Sequence, residues 1–187
     1  MNEKPPIKRW LAAILAADIA GYSRLMGQDE AATVLDLKGH QAVILPLVAR
    51  HGGRIMDTAG DGILAVLRSV IGATQCAIEI QTVMAARNKD VPENRWMLFR
   101  IGINLGDVIH DEIRIYGDGI NVAARLEAYA APGEVLVSQA VHDQVRDRLD
   151  FAFEDLGERE LKNIARPVRV YRLRTPAESK AAPAPYR

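Results

Sequence analysis

The sequence contains a single cysteine, Cys76, among its 187 residues. One cysteine excludes an intrachain disulfide and a cysteine-rich zinc site, and it fits the reducing cytoplasm, where we expect the chain to be located. No apolar run is long enough to cross a bilayer as a helix, so no membrane segment is expected. The apolar run 10–17 follows Lys8 and Arg9 as in a signal peptide, but Asp18 interrupts it, so we interpret it as a buried strand.

The chain also lacks a surplus of charge of either sign. Lysine plus arginine number 24, aspartate plus glutamate number 24, and the formal net charge is zero. A protein that binds nucleic acid or an anionic membrane needs a basic surface, so we expect neither partner. The composition fits one globular domain, which we place at residues 8–174. The segments 1–7 and 175–187 are rich in Pro, Ala and charge, and we predict that they are disordered.

The apolar pattern predicts an α+β fold. The order strand, helix, strand, strand, helix, strand is that of a ferredoxin-like βαββαβ core, here followed by extra C-terminal strands and a helix. Gly102, within the predicted strand 98–105, and Gly106, directly after it, indicate close approach of another backbone. The predicted strands are 11–17, 54–57, 63–67, 98–105, 112–116, 135–137, 151–161 and 168–173. The predicted helices are 29–52, 70–87, one that contains residues 121 and 125, and 138–149.

Two aspartates stand at the ends of predicted buried strands. Asp18 closes the apolar run of LAAILAADIAGYS, and Asp61 lies in the turn of RIMDTAGDGILAVL. The ferredoxin-like order places these strand ends side by side, and buried acids are costly unless a cation compensates them. In IYGDGINVAARLEA, Asn121 and Arg125 stand four residues apart, on one face of a helix. Metal ions together with a guanidinium are the equipment of phosphoryl chemistry.

Together these motifs resemble the catalytic domain of class III nucleotidyl cyclases, the adenylate and guanylate cyclases. The resemblance runs from about Ala12 to Leu173. ADIAGYSRLM resembles the first metal motif of the family, TAGDGILAVL the second, IYGDGINVAARLEA the transition-state helix and LKNIARPVRVYRL the C-terminal end. Each motif alone is weak, whereas four in the right order are specific. The short chain is similar to stand-alone bacterial members.

The resemblance implies a substrate, a cofactor and a partner. The substrate is a purine nucleoside triphosphate, and each site holds two Mg²⁺ or Mn²⁺ ions. Sites of this family form between two subunits, so a homodimer is implied. The implied metal ligands are Asp18, Asp61 and the carbonyl of Ile19. The implied catalytic residues are Asn121, which orients the ribose, and Arg125, which binds the α-phosphate. The implied phosphate contacts are Ala20, Gly21, Tyr22 and Ser23, with Lys162 as a further candidate.

The positions that select the base depart from the pattern of adenylate cyclases. Those enzymes carry a lysine where this chain has Asp57, and an aspartate or threonine where it has Arg114. Guanine offers donors at N1 and its 2-amino group and an acceptor at O6, so an acid and a guanidinium match it. A mismatched base leaves buried groups unpaired, at about 1–3 kcal/mol each. We therefore expect ATP to be a poor substrate and GTP to be at least competitive with it. Alternatively, Asp57 and Arg114 form a salt bridge with each other.

Each candidate residue also has a purely structural interpretation. Asp18 can be a strand-end turn residue, and Asp61 can serve only the hairpin turn. Asn121 and Arg125 can belong to a solvated helix face, and Lys162 can be an ordinary surface lysine.

Three functions are compatible with these observations. The first is an active homodimeric cyclase, because every metal and transition-state position is filled. The second is a nucleotide-binding regulatory module with weak or absent turnover, which the altered base positions suggest. The third is a protein-interaction domain that uses only the dimer surface.

Overall fold

The computed structural model describes residues 7–111 and 113–174. The predicted disordered ends therefore lie outside the described residues, apart from Ile7, and that prediction stays open. Within the described residues, no helix is both long and apolar enough to cross a membrane.

The described part of the chain contains eight strands and five α-helices. The strands are β1 (Lys8–Ile19), β2 (Gly53–Asp57), β3 (Ile63–Leu67), β4 (Phe99–His110), β5 (Ile115–Tyr116), β6 (Val135–Ser138), β7 (Ala152–Arg159) and β8 (Val168–Arg174). The helices are α1 (Tyr22–Gln28), α2 (Glu30–Arg50), α3 (Val70–Asn88), α4 (Asp118–Tyr129) and α5 (Gln139–Val145), with a 3₁₀ turn at Glu93–Arg95.

All eight strands form one sheet. Seven of them follow the order β2-β3-β1-β4-β6-β8-β7, and the short β5 pairs with β4. The strands β2, β3, β1 and β4 are antiparallel neighbours, which confirms the ferredoxin-like core. β6 lies parallel to β4, and the antiparallel β8 and β7 extend the sheet on that side.

Both faces of the central strand β1 are covered. Ala13 and Leu15 belong to the larger core, where they pack with apolar residues of α2 and α3. Ile14 points the other way, into a second cluster that includes Ala123 of α4. Because successive side chains of a strand alternate between faces, an uninterrupted apolar run requires cover on both sides, as predicted.

Local capping explains where the long helices begin. The side chain of Asp29 accepts a hydrogen bond from the N–H of Ala32 at 3.0 Å, and Ser69 caps α3 in the same way through the N–H of Gly72. Helix α1 was not predicted, because the seven residues after Gly21 are too few to show a helical period. β4 is longer than predicted and α5 shorter.

Helix α4 lies directly on β4, without intervening side chains. A Cβ atom added to Gly102 would stand 2.4 Å from both the carbonyl oxygen of Ala123 and the nitrogen of Glu127. Further along, a Cβ atom on Gly106 would stand 3.0 Å from the Cα of Gly119. The close backbone approach predicted from these strand glycines is therefore confirmed, and it fixes the height of α4 above the sheet.

We expect Gly102→Ala to destabilise the protein by about 1–3 kcal/mol or more, because the new methyl group meets backbone atoms that cannot rotate away. Urea or thermal unfolding measures this loss. Gly27→Ala is the matched control, since a Cβ atom there has no neighbour within 4 Å, and we expect no loss of stability. Equal stability of the two variants would contradict the direct packing of α4 on β4.

Candidate active site

The two predicted metal-binding aspartates meet at one end of the sheet. Asp18 is the penultimate residue of β1, and Asp61 lies in the hairpin between β2 and β3. The Oδ2 atom of Asp61 accepts a hydrogen bond from the backbone N–H of Ile19 at 2.9 Å. Sequence order alone separates these residues by more than forty positions, and the pairing of β1 with β3 brings them together.

The hairpin turn aims Asp61 at β1. The N–H of Gly62 donates to the carbonyl of Ala59 at 3.1 Å, which closes a tight turn, and Gly60 takes a φ of 59°. This left-handed conformation is the one that glycine adopts without strain. Asp61 thus belongs to a hairpin turn and also lies at the end of β1 that carries Asp18.

Arg100 binds the carboxylate of Asp18 and was not identified from the sequence. It is the cross-strand partner of Asp18 in the β1–β4 pair. Its Nε donates to Oδ1 of Asp18 at 2.8 Å and its Nη2 donates to Oδ2, so both carboxylate oxygens are engaged. The strand register could have revealed this pair, but register is not visible in a single sequence.

Glu127 of α4 is a third acid at this place, also missed by the sequence analysis. Its Oε2 lies 3.9 Å from Nη2 of Arg100, and its side chain is 13% exposed. Burial, and then hydrogen bonding to Asp18, raise the pKa of the Glu127 carboxyl to about 8. Arg100 opposes this rise, but one guanidinium does not compensate Asp18, Asp61 and Glu127 together.

The loop predicted to bind phosphates follows β1. The N–H of Ala20 donates to the carbonyl of Leu98 at 2.9 Å, so it is used within the chain. Gly21 has a φ of 68° and precedes α1, whose first residues are Tyr22 and Ser23. The first N–H groups of a helix have no partner within that helix, so these two residues present donors to a ligand.

Asn121 and Arg125 lie on α4, as predicted. Asn121 is exposed and Arg125 is half-buried. The start of the helix is held to the sheet by Asn104, whose Nδ2 donates to the carbonyl of Gly119 at 3.1 Å. Arg125 and Glu127 are two residues apart, which separates them by about 200° around the helix. Since Glu127 lies at Asp18, Arg125 faces away from the aspartates of its own chain.

The remaining predicted residues lie at the surface. Lys162 is exposed in the connection between β7 and β8, directly after Leu161, which is buried with Leu126 of α4. Asp57 ends β2, and its Oδ1 accepts from the N–H of Ala59 at 3.0 Å. Arg114 is exposed before β5. In the described part of the chain, Asp57 and Arg114 form no salt bridge with each other, contrary to the structural alternative.

The donor set at Asp18 and Asp61 fits a hard divalent cation. Two carboxylates and a strand-end carbonyl are oxygen ligands, which suit Mg²⁺ or Mn²⁺. A cationic group, Arg100, already lies on the oxygens of Asp18, which shows that this position favours positive charge. Among residues 7–111 and 113–174, no cluster of three or more His, Cys, Asp or Glu side chains converges as a metal site. Further ligands must therefore come from backbone, water or substrate.

Comparison with known proteins agrees with the family resemblance seen in the sequence, along nearly the whole chain. The family described as "Adenylate and Guanylate cyclase catalytic domain" matches residues 10–175. "Putative adenylate cyclase 3" of Rhizobium meliloti is 46% identical over 189 residues, which cover 97% of this chain and 32% of that protein. The chain thus spans about a third of that relative.

Solved structures share the fold. A crystal structure described as adenylate/guanylate cyclase/hydrolase from Silicibacter pomeroyi has a TM-score of 0.82 and 45% identity, covering 90% of this chain and 99% of that one. The adenylyl cyclase CyaB from P. aeruginosa has a TM-score of 0.80 at 22% identity, covering 91% and 96%, which shows the fold alone.

The raised pKa of Glu127 predicts a pH-dependent stability. The folded protein holds a proton that the unfolded chain releases near 4.5, so wild-type stability falls as pH rises from 4.5 to about 8. Glu127→Gln cannot titrate. In EDTA, we expect its free energy of unfolding to gain on that of the wild type across this range and to level off above it. Chemical unfolding at a series of pH values measures the difference.

The control for simple loss of an acidic group is Glu93→Gln, at an exposed position. Its unfolding is measured at the same pH values, so that any general effect of removing a carboxyl group can be subtracted. A pH-independent difference for Glu127→Gln would contradict the protonated state of the site.

Proposed function

The chain belongs to the adenylate and guanylate cyclase catalytic domain family, and on this basis we propose that it converts ATP or GTP to the 3′,5′-cyclic monophosphate and pyrophosphate. The observation that carries the proposal is the contact between Asp61 and Ile19 beside Asp18, with Asn121 and Arg125 outside on α4. The carboxylates and the guanidinium of a phosphoryl-transfer site are all present.

We propose that Asp18, Asp61 and the carbonyl of Ile19 hold two Mg²⁺ or Mn²⁺ ions. When bound, such ions lower the pKa of the ribose 3′-hydroxyl and neutralise the triphosphate. The two aspartates are suited to this role because the hairpin and the strand pairing hold them in place before any ligand arrives. The N–H groups of Tyr22 and Ser23 then bind the terminal phosphates.

The reaction joins the 3′-oxygen to the α-phosphorus and breaks the bond between that phosphorus and the pyrophosphate oxygen. The 3′-hydroxyl proton is lost, and the pyrophosphate leaves with the bonding electrons. Asn121 holds the ribose so that the attack is in line. Arg125 donates to the α-phosphate as negative charge builds, an effect whose removal costs about 10²–10³ in rate. Lys162 is a further candidate for contact with the phosphates.

We propose that the chain acts as a homodimer, because α4 presents its groups in opposite directions. Glu127 lies at Asp18 of the same chain, whereas Arg125 lies on the other side of the helix. One chain therefore cannot bring Arg125 and its own two aspartates to one substrate. A second copy supplies the missing half, so that a two-fold symmetric dimer contains two equivalent sites.

Asp57 and Arg114 are the proposed base-selecting residues. Both are exposed, and they do not pair with each other in the described part of the chain. The N–H of Ala59 donates to Oδ1 of Asp57, so Oδ2 of Asp57 and the guanidinium of Arg114 are the groups offered to a base. Asp57 accepts from the N1 and 2-amino donors of guanine, and Arg114 donates to O6. This pairing makes GTP competitive with ATP.

A regulatory module that binds nucleotide without useful turnover is the second candidate. The hydrogen bonds from Arg100 to both oxygens of Asp18 favour this second candidate, because the proposed metal ligand Asp18 is already engaged. Nucleotide-dependent thermal stabilisation without cyclic product would support this candidate over the enzyme.

Mixing two inactive variants tests the enzyme and the shared site together. We expect Asp61→Asn and Arg125→Ala to lose about 10²-fold or more of the activity as separate homodimers. Mixed and allowed to exchange subunits, they form heterodimers in which one of the two sites is intact, so activity returns. Mass spectrometry of cyclic nucleotide, with ATP or GTP and Mn²⁺, measures the yield. Two Asp61→Asn preparations mixed together are the control, and no recovery in the mixed pair would exclude the shared site.

Exchange of the base-selecting pair tests the specificity. We expect the double variant Asp57→Lys, Arg114→Asp to raise the ratio of ATP to GTP turnover by about tenfold or more, since it restores a donor and an acceptor for adenine. The kcat/KM values for both nucleotides measure this ratio. Arg68→Asp, an exposed charge reversal next to β3, is the control. An unchanged ratio would show that other residues select the base.

A further inference from the structure

Arg100 is bound where a metal ion is expected. Its guanidinium takes both carboxylate oxygens of Asp18, through Nε at 2.8 Å and through Nη2. A cation that binds Asp18 needs at least one of those oxygens, and it also meets the positive charge of Arg100. Metal and guanidinium therefore compete for the same carboxylate.

Two acceptors on α4 stand ready to receive Arg100. The carboxyl group of Glu127 lies 3.9 Å from Nη2, and the carbonyl of Ala128 accepts from Nη1 at 3.4 Å. Both distances are longer than those to Asp18, so these contacts are secondary and can tighten. A small rotation of the guanidinium would exchange its contacts with Asp18 for contacts with Glu127 and the carbonyl of Ala128.

We propose that Arg100 is a positioning residue that acts as an internal counter-cation: it holds Asp18 while the site has no metal and passes to Glu127 when a divalent cation binds. The identity of the cation rests on the proposed function. Arg100 lowers the affinity of the free protein for metal, so that loading depends on the negative charge that a triphosphate brings. It also keeps Asp18 in place between turnovers.

Manganese binding to the purified full chain tests the proposal without any turnover. Free Mn²⁺ is followed by electron paramagnetic resonance during titration. We expect Arg100→Gln to bind Mn²⁺ at least about fivefold more tightly than the wild type, the lower limit for removing a unit charge about 4 Å away. Glu127→Gln should weaken Mn²⁺ binding. The loss should be larger when Arg100 is present than in the Arg100→Gln background, because only a chain with Arg100 has a guanidinium that must move to Glu127.

A second arginine–aspartate pair provides the matched control. Arg169 donates to Asp155 at the far edge of the sheet, so Arg169→Gln removes the same charge and the same kind of contact. Its Mn²⁺ affinity should equal that of the wild type. Asp61→Asn should abolish binding, which locates the ion. Weaker or unchanged binding by Arg100→Gln, or equal tightening by Arg169→Gln, overturns the proposal.

Arginine Nε nuclear magnetic resonance on the wild type covers the case in which Arg100→Gln does not fold. Addition of Mg²⁺ should shift the Arg100 signal and leave that of Arg169 unchanged, with Arg100→Lys used to assign it. A static Arg100 signal at saturating Mg²⁺ contradicts the proposal. Failure of the proposed function can be told apart from failure of this proposal. If the chain is not a cyclase, no cyclic product forms, but the Mn²⁺-binding results still hold.

Discussion

Three acids brought together at one end of a sheet need a positive charge, and Arg100 supplies it. Asp18, Asp61 and Glu127 come from a strand end, a hairpin and a helix. Each carboxylate alone would be well hydrated in water. Grouped in a partly buried position, they repel one another and lose hydration. The guanidinium on β4 offsets part of this cost for Asp18, while Glu127 responds with a raised pKa. The place where these side chains meet therefore favours further positive charge.

This electrostatic arrangement depends on how closely α4 approaches the sheet. With no side chain at Gly102, the backbone of α4 lies against β4 and carries Glu127 to within reach of Arg100. A helix one methyl group further out would separate the two. The same approach orients the outer face of α4, where Asn121 and Arg125 are available to another molecule. One backbone contact thus links the charge balance within a chain to the half-site that we propose it offers a second copy.

The residues proposed to select the base have little influence on the fold. Asp57 and Arg114 are exposed, at a strand end and before a two-residue strand, and their recorded contacts there are local backbone hydrogen bonds. Positions of this kind can change without disturbing the core, in contrast to Gly102 or Leu15. The base selection that we propose is therefore separable from the proposed chemistry, whose residues lie on rigid elements.

Much of the fold and of the candidate site can be predicted from the sequence, because the sequence patterns that indicate them are local. Apolar runs indicated β1 and β3, apolar residues at helical spacing indicated α2 and α3, and the motifs around Asp18, Asp61 and Arg125 indicated the family. Short α1 was missed because seven residues show no period. Arg100 and Glu127 were missed for a different reason: their roles arise from strand register and from the depth at which a helix packs. Both are properties of pairs of elements far apart in the chain, and only the tertiary structure decides them.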